Sequence, residues 1–119
     1  MRRATDTGST PGRRYSRYVL DTRVTLRVFR NDGVHVLWGR SADLSENGIA
    51  ATISGELFEG EVVTLSFSLD PGAAPLEMRA SVRFRRGFFC GFEFLILTDE
   101  QRAQIKRACG FLVAASSGS

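Results

Sequence analysis

The chain has 119 residues and a mass of 13.1 kDa, the usual size of one domain, with little length left for a second. Hydrophobic residues make up 43% of the sequence and charged residues 24%, so one core can form without a disulfide or a metal. The net charge is +3, and no apolar run approaches the roughly 18 residues of a membrane span, which excludes a transmembrane helix.

The chain begins with a predicted flexible arm over residues 1–12, which are small or polar and lack periodicity. Arg2 and Arg3 are not followed by an apolar stretch, so we expect no secretory signal. Residues 1–30 contain eight arginines and two aspartates, a net charge of +6, so the remaining residues carry −3. The arginine fork matches phosphate oxygens and the acceptor edge of guanine, which favours an anionic partner. A high-GC genome would also favour arginine codons.

Six short strands are predicted after the arm, because apolar and polar residues alternate and turn residues separate the runs. The first two strands cover residues 24–29 and 34–38, and Asn31-Asp32-Gly33 between them is a strong hairpin signal. The other four cover residues 49–53, 62–69, 76–84 and 88–97.

One helix is predicted at the end of the chain. Thr98 and Gln101 have the spacing of a capping box, and a single apolar face follows at Ile105, Ala108, Cys109 and Leu112. Strands followed by one helix predict an all-β fold with one helix, a six-stranded antiparallel barrel that the C-terminal helix plugs or flanks. We place the domain at residues 13–113 and a disordered tail at residues 114–119.

The residues that catalysis or metal binding would need are missing from the sequence. His35 is the only histidine, and we expect it to be a plain surface or packing residue, so no Ser-His-Asp set can be assembled. Cys90 and Cys109 lack metal-ligand spacing, and we expect both to be buried, reduced and inert in the cytoplasm. Glu56, Glu59 and Glu61 predict a solvated loop rather than a metal site. The protein is therefore predicted not to be an enzyme and to need no cofactor.

An arginine cluster, Arg13-Arg14-Tyr15-Ser16-Arg17, lies between the arm and the first strand. Its three arginines can converge from a flexible segment onto one anion. By itself the cluster also fits a basic tail that meets solvent or nucleic acid without specificity.

A second polar segment, Asp43-Leu44-Ser45-Glu46-Asn47-Gly48, lies between the second and third predicted strands. Its carboxylate can accept hydrogen bonds from the N1 and N2 donors of a guanine, and its hydroxyl can donate or accept beside it. Its glycine lets a ring approach the backbone. By itself the segment also has the composition of any turn between strands.

Together, in this order, the two segments resemble the motifs of the PilZ domain family, R-x-x-x-R and D/N-x-S-x-x-G. Both motifs are intact here, and the resemblance extends over about residues 13–112, including Cys90-Gly91-Phe92-Glu93-Phe94. The resemblance implies a six-stranded antiparallel barrel that binds the bacterial second messenger cyclic di-GMP. It also implies that Arg13 and Arg17 clamp phosphates and guanine Hoogsteen edges, while Arg14 adds charge or stacks on a base.

For the second motif, the resemblance implies that Asp43 and Ser45 read the donor edge of a guanine and that Gly48 leaves room for the ring. A ligand held by both motifs would draw the arm across the barrel and create a surface for an unidentified effector protein. Arg83 and Arg85 on a later strand are candidates for an extra contact.

Two alternatives remain from the sequence. One is a PilZ-fold interaction module without nucleotide binding, against which the intact motifs argue. The other is a small barrel that binds single-stranded nucleic acid through the arginine arm and exposed aromatics such as Trp38 or Phe88. The charge of −3 outside residues 1–30, together with Asp43, argues against a groove that follows a phosphate backbone.

Overall fold

The structure is a computed structural model that describes residues 16–115; the predicted arm, Arg13, Arg14 and residues 116–119 lie outside the described residues. No helix in the described part of the chain is long and apolar enough to cross a membrane. The elements in chain order are β1 Tyr18–Val19, β2 Arg23–Arg30, β3 Gly33–Ser45, β4 Gly48–Ile53, β5 Val62–Phe67, β6 Leu76–Arg86, β7 Phe89–Ile96 and α1 Asp99–Cys109.

Strands β2 to β7 form a closed antiparallel barrel. Neighbouring strands run in the order β3-β2-β5-β6-β7-β4, and β4 pairs back with β3 to complete the ring. The predicted six-stranded barrel with a C-terminal helix is thus confirmed. The additional strand β1 was not predicted; its two residues pair with Asp43 and Leu44 at the end of β3. Two residues are too few to produce an alternating pattern.

The barrel core is built from side chains that alternate along the strands. In β2, Val24, Leu26 and Val28 are fully buried between exposed or half-buried neighbours. In the centre, the rings of Phe67 and Phe94 stack with their centroids 6.2 Å apart. The period-two pattern therefore identified the inward-facing residues of these strands correctly.

The first half of β3 carries its apolar side chains on the outer surface instead. Val34, Val36 and Trp38 are 54%, 53% and 55% exposed. They share the outer face with Phe29 of β2, which pairs with Val34 and is 65% exposed. The inward position is taken by Leu37, which packs against the core opposite Leu26. Alternation alone could not assign the faces here, because apolar residues occupy both.

Helix α1 begins with the predicted capping box. The hydroxyl of Thr98 accepts a hydrogen bond from the Gln101 N–H at 3.0 Å, and the Gln101 side chain accepts one from the Thr98 N–H at 3.1 Å. Ile105 and Cys109 are buried in the core, so the predicted apolar face is confirmed. The helix ends at Cys109, with Gly110 as its cap.

The segment after the helix is joined to the start of the domain. The N–H of Val19 donates to the Val113 carbonyl at 2.8 Å, and the N–H of Ala115 donates to the Arg17 carbonyl at 2.8 Å. Ala114 also forms a bridge with Tyr18. Because of these bonds, the backbone of Arg17 is fixed by the end of the chain.

One end of the barrel is held by an arginine–glutamate pair. Arg30 donates two hydrogen bonds to the Glu61 carboxylate, at 2.8 and 3.0 Å, and a third to the Glu56 carbonyl at 2.9 Å. The Phe58 N–H also donates to Glu61. These bonds, the side-chain bond from Arg30 most of all, hold the pKa of Glu61 below its ordinary value. In the loop predicted to be solvated, Glu61 thus joins residues 56–61 to β2.

Glu61→Gln should lower the free energy of unfolding at pH 7 by about 1–2 kcal/mol, because it removes charge-assisted hydrogen bonds. Since the pKa of Glu61 is lower in the folded than in the unfolded protein, this stabilisation is present above about pH 4.5 and is lost as the pH falls through the folded value. Urea unfolding of the wild type and of Glu61→Gln at pH 7 and pH 3 measures this stabilisation.

The difference between the wild type and Glu61→Gln should therefore shrink at pH 3. Glu59→Gln is the matched control, since Glu59 is exposed in the same loop and its replacement should change stability little. An equal difference at both pH values would contradict the assigned role of Glu61.

Candidate functional site

The second motif spans the hairpin between β3 and β4. Asp43 and Ser45 end β3 and Gly48 begins β4, so the turn itself is only Glu46-Asn47. The hydroxyl of Ser45 donates to the Asn47 side-chain oxygen at 2.7 Å and accepts from the Asn47 N–H at 3.3 Å. The structure therefore gives Ser45 a local role, fixing the turn, besides its position in the site.

Two glycines let neighbouring groups approach closely at this hairpin. A Cβ atom on Gly48 would lie 2.2 Å from the Phe92 carbonyl oxygen, and one on Gly91 would lie 2.0 Å from the Phe84 ring. Neither distance is possible for real atoms. Gly48 was predicted to leave room for a ligand ring; in the structure it leaves room for the backbone of β7.

These elements surround an open depression of about 190 Å³ on the outside of the barrel. Three of the predicted site residues, Arg17, Ser45 and Gly48, line it, and Asp43 is joined to it through Arg17. Arg13 and Arg14 lie outside the described residues. The other lining residues are Asn47, Ile49, Arg83, Phe84, Gly91, Phe92 and Glu93.

Most of the additional lining residues carry no signal that sequence reasoning could have used. The sequence predicts a strand at Gly91 and Glu93, and it makes Arg83 only a candidate for an extra contact. Phe84 would point inward in a regular strand that buries Val82, but the register between β6 and β7 shifts at this point. A β-bulge of this kind changes the direction of side chains and leaves no clear mark on the alternating pattern.

Arg17 and Asp43, one from each motif, are in direct contact. A guanidinium nitrogen of Arg17 lies 2.7 Å from a carboxylate oxygen of Asp43, and the two side chains are 44% and 19% exposed. An ion pair with this much solvent contact contributes at most about 1 kcal/mol to stability. The contact therefore brings the motifs together but adds little to stability, so the ion pair can open with a small loss of free energy.

Arg83 and Glu93 form a second ion pair in the same depression. With Arg17 and Asp43, the described site thus contains two arginines and two carboxylates, each arginine paired with a carboxylate. Donors and acceptors are both available at one surface, which suits a small anion that also carries hydrogen-bond donors.

The two cysteines and the single histidine of the chain do not line this depression. Cys90 and Cys109 are free and buried, as predicted, and burial raises the pKa of both thiols. His35 lies 2.7 Å from the Asp32 carboxylate, a hydrogen bond that lowers the pKa of Asp32. Among residues 16–115, no cluster of histidine, cysteine and acidic side chains could hold a metal ion.

The fold and the site define a small antiparallel barrel with a depression on its outer surface that contains two arginine–carboxylate pairs. The PilZ domain model matches residues 11–111, and the chain belongs to the PilZ domain family. A search of curated protein sequences gave no match.

Several solved structures, two of them described as PilZ domains, share the fold. The PilZ domain of CeSA from a cellulose-synthesizing bacterium is 21% identical, with a TM-score of 0.61 over 79% of this chain and 94% of that chain. The PilZ domain of Escherichia coli YcgR with c-di-GMP is 20% identical, with a TM-score of 0.66 over 84% and 90%. The Bacillus subtilis inhibitor of motility MotI/DgrA is 20% identical, with a TM-score of 0.65 over 84% and 50%.

Gly48→Ala should destabilise the protein by about 2–4 kcal/mol, because its Cβ meets the backbone of β7 and the two strands must separate. Gly91→Ala is the matched variant. Its Cβ meets the side chain of Phe84, which can rotate away, so we expect a smaller loss. Urea unfolding measures both, and an equal or reversed order would contradict the close approach at Gly48.

Proposed function

We propose that this protein is a receptor for cyclic di-GMP that passes the signal to a partner protein in the cytoplasm. The observation that carries the proposal is the contact between Arg17 and Asp43, which brings the two motifs to one depression although these residues are 26 positions apart in the sequence. The fold shared with YcgR, whose PilZ domain is described with c-di-GMP, supports the choice of ligand. We propose no catalytic activity, because ligand binding by itself is enough to switch such a receptor from its free to its bound form.

The ligand chemistry fits the charges of the site. Cyclic di-GMP carries two phosphates and two guanines. Arginine can bind a phosphate or the O6/N7 edge of guanine through two parallel hydrogen bonds, and a carboxylate can accept from the N1 and N2 donors. In the proposed complex, Arg17 binds phosphate or guanine, and Asp43 reads the donor edge of a base.

Binding requires Arg17 and Asp43 to exchange their mutual contact for contacts with the ligand. Both are partly exposed, so this exchange costs little, and each then bonds to a group of complementary chemistry. An adenine analogue would leave Asp43 without its donors, an unpaired acceptor that costs about 1–3 kcal/mol.

We further propose that Arg13 and Arg14 close over the bound ligand. Arg17 is held by β1 and by Ala115, so its backbone is in place before the ligand arrives. The four steps along the chain from Arg13 to Arg17 can span up to about 13 Å, since an extended chain spans about 3.3 Å per residue. The ordered segment would then form the surface that an effector protein recognises.

The exposed apolar row of Phe29, Val34, Val36 and Trp38 supports the alternative of a protein-interaction module without nucleotide binding. That alternative predicts no response to cyclic di-GMP, so one titration separates the two functions.

Calorimetric titration of cyclic di-GMP into the wild type should give saturable binding, and Arg17→Ala should weaken it about 100-fold or more by removing a charge-assisted contact. Asp43→Asn should also weaken it, because the amide replaces one acceptor oxygen by an NH2 donor, which would face one of the two guanine donors. Arg40→Ala and Asp21→Asn are the matched controls, since these residues form an exposed pair with each other.

GTP and cyclic di-AMP should give no comparable heat. If the wild type does not bind cyclic di-GMP, the result favours the interaction module.

Saturation with cyclic di-GMP should restrict the backbone motion of residues 13–15, because the ligand would bridge Arg13 and Arg14 to the barrel. Heteronuclear NOE values of their amides, measured with and without ligand, test this directly. Arg17→Ala at the same ligand concentration is the control. Unchanged values for residues 13–15 in the saturated wild type would contradict closure of the arm.

A further inference from the structure

Arg83 owes its position to a β-bulge in β6. Val82 pairs with Phe92 of β7, whereas Phe84 pairs with Gly91, the residue before Phe92, so Arg83 is the extra residue. Val82 is buried, and the ring of Phe84 lies against Gly91 on the outer side. Two consecutive side chains, Arg83 and Phe84, therefore line the same depression, an arrangement that a regular strand does not allow.

Arg83 is paired with Glu93, which pairs along the backbone with Gly48 of the second motif. The side chains of Arg83 and Glu93 are 63% and 38% exposed, so the ion pair is a solvated contact rather than part of the core. This pair therefore adds little to the stability of the barrel.

We propose that Arg83 is a further ligand-binding arginine besides those of the first motif, and that Glu93 holds it in the unliganded protein and competes with the ligand for it. The inference rests on the proposed binding of cyclic di-GMP to this depression. On binding, Arg83 leaves Glu93 and donates to a phosphate of the ligand, while Glu93 returns to water.

The charge balance of the site supports this exchange. In the structure, the charges of Arg17 and Arg83 are cancelled by Asp43 and Glu93. A ligand with two phosphates brings two negative charges, and Asp43 is needed at a guanine. Arg17, once it leaves Asp43, can meet one of these charges, and Arg83 is the other described arginine of the depression that can meet the second. Because Glu93 is exposed, its release into solvent is not costly.

A double-mutant cycle with cyclic di-GMP as the titrant tests the proposal. Arg83→Ala should weaken binding about tenfold or more, because a charge-assisted contact to phosphate is lost. Glu93→Gln should tighten binding by about three- to tenfold, since Arg83 no longer has to leave a carboxylate. In the Arg83→Ala background, Glu93→Gln should give a clearly smaller gain, because there is no arginine left to release.

Arg85→Ala is the matched control. It removes an arginine two residues further along β6, where the side chain faces Glu56 and does not line the depression. This variant should bind within about twofold of the wild type. Thermal unfolding without ligand should show that all the variants remain folded.

The outcomes separate the inference from the function on which it rests. No binding by the wild type would overturn the proposed function and the inference together. Wild-type binding that Arg83→Ala leaves unchanged would overturn the role of Arg83 alone. An equal gain from Glu93→Gln in both backgrounds would overturn the competition, because Glu93 would then act on the ligand without Arg83.

Discussion

The pairing of β4 with β3 on one edge and β7 on the other closes the barrel, and the site depends on this closure. The double pairing brings the β3–β4 hairpin, which carries the second motif, against the bulged strand pair β6–β7. At Gly48 the backbones are so close that no Cβ atom fits. The depression is therefore lined mostly by residues of the ring of strands, whose elements are held by backbone hydrogen bonds from both sides.

Ion pairs serve two different purposes in this protein. Glu61 is mostly buried and bonded to both Arg30 and a backbone N–H, so that pair fixes a loop to the barrel. The pairs of Arg17 and Arg83 are more exposed and line the depression. Solvent screens such pairs, so they can exchange partners with little loss of stability. Keeping each arginine beside a carboxylate also limits the repulsion that unpaired like charges would cause in a small site.

Much of the fold could be predicted because its signals are local. Strands β2 and β5 alternate in the sequence as they do in space, and Thr98 with Gln101 marks the helix start. For the site, the two motifs identified Arg17, Ser45 and Gly48, which line one depression, and Asp43, which is bonded to Arg17. Trp38 was expected to be exposed, and it is, but the rest of the exposed row of β3 could not be predicted, because apolar residues occupy both faces of the strand.

The strand pattern, the capped helix and the two polar motifs can be inferred from the sequence, since each depends on residues close together along the chain. Which distant groups meet depends on how the whole chain folds. The contact between Arg17 and Asp43 requires β1 to lie beside β3, and the position of Arg83 requires a register shift between β6 and β7. Pairing partners and register come from the combined burial and hydrogen bonding of the whole sheet, so no single stretch of sequence records them.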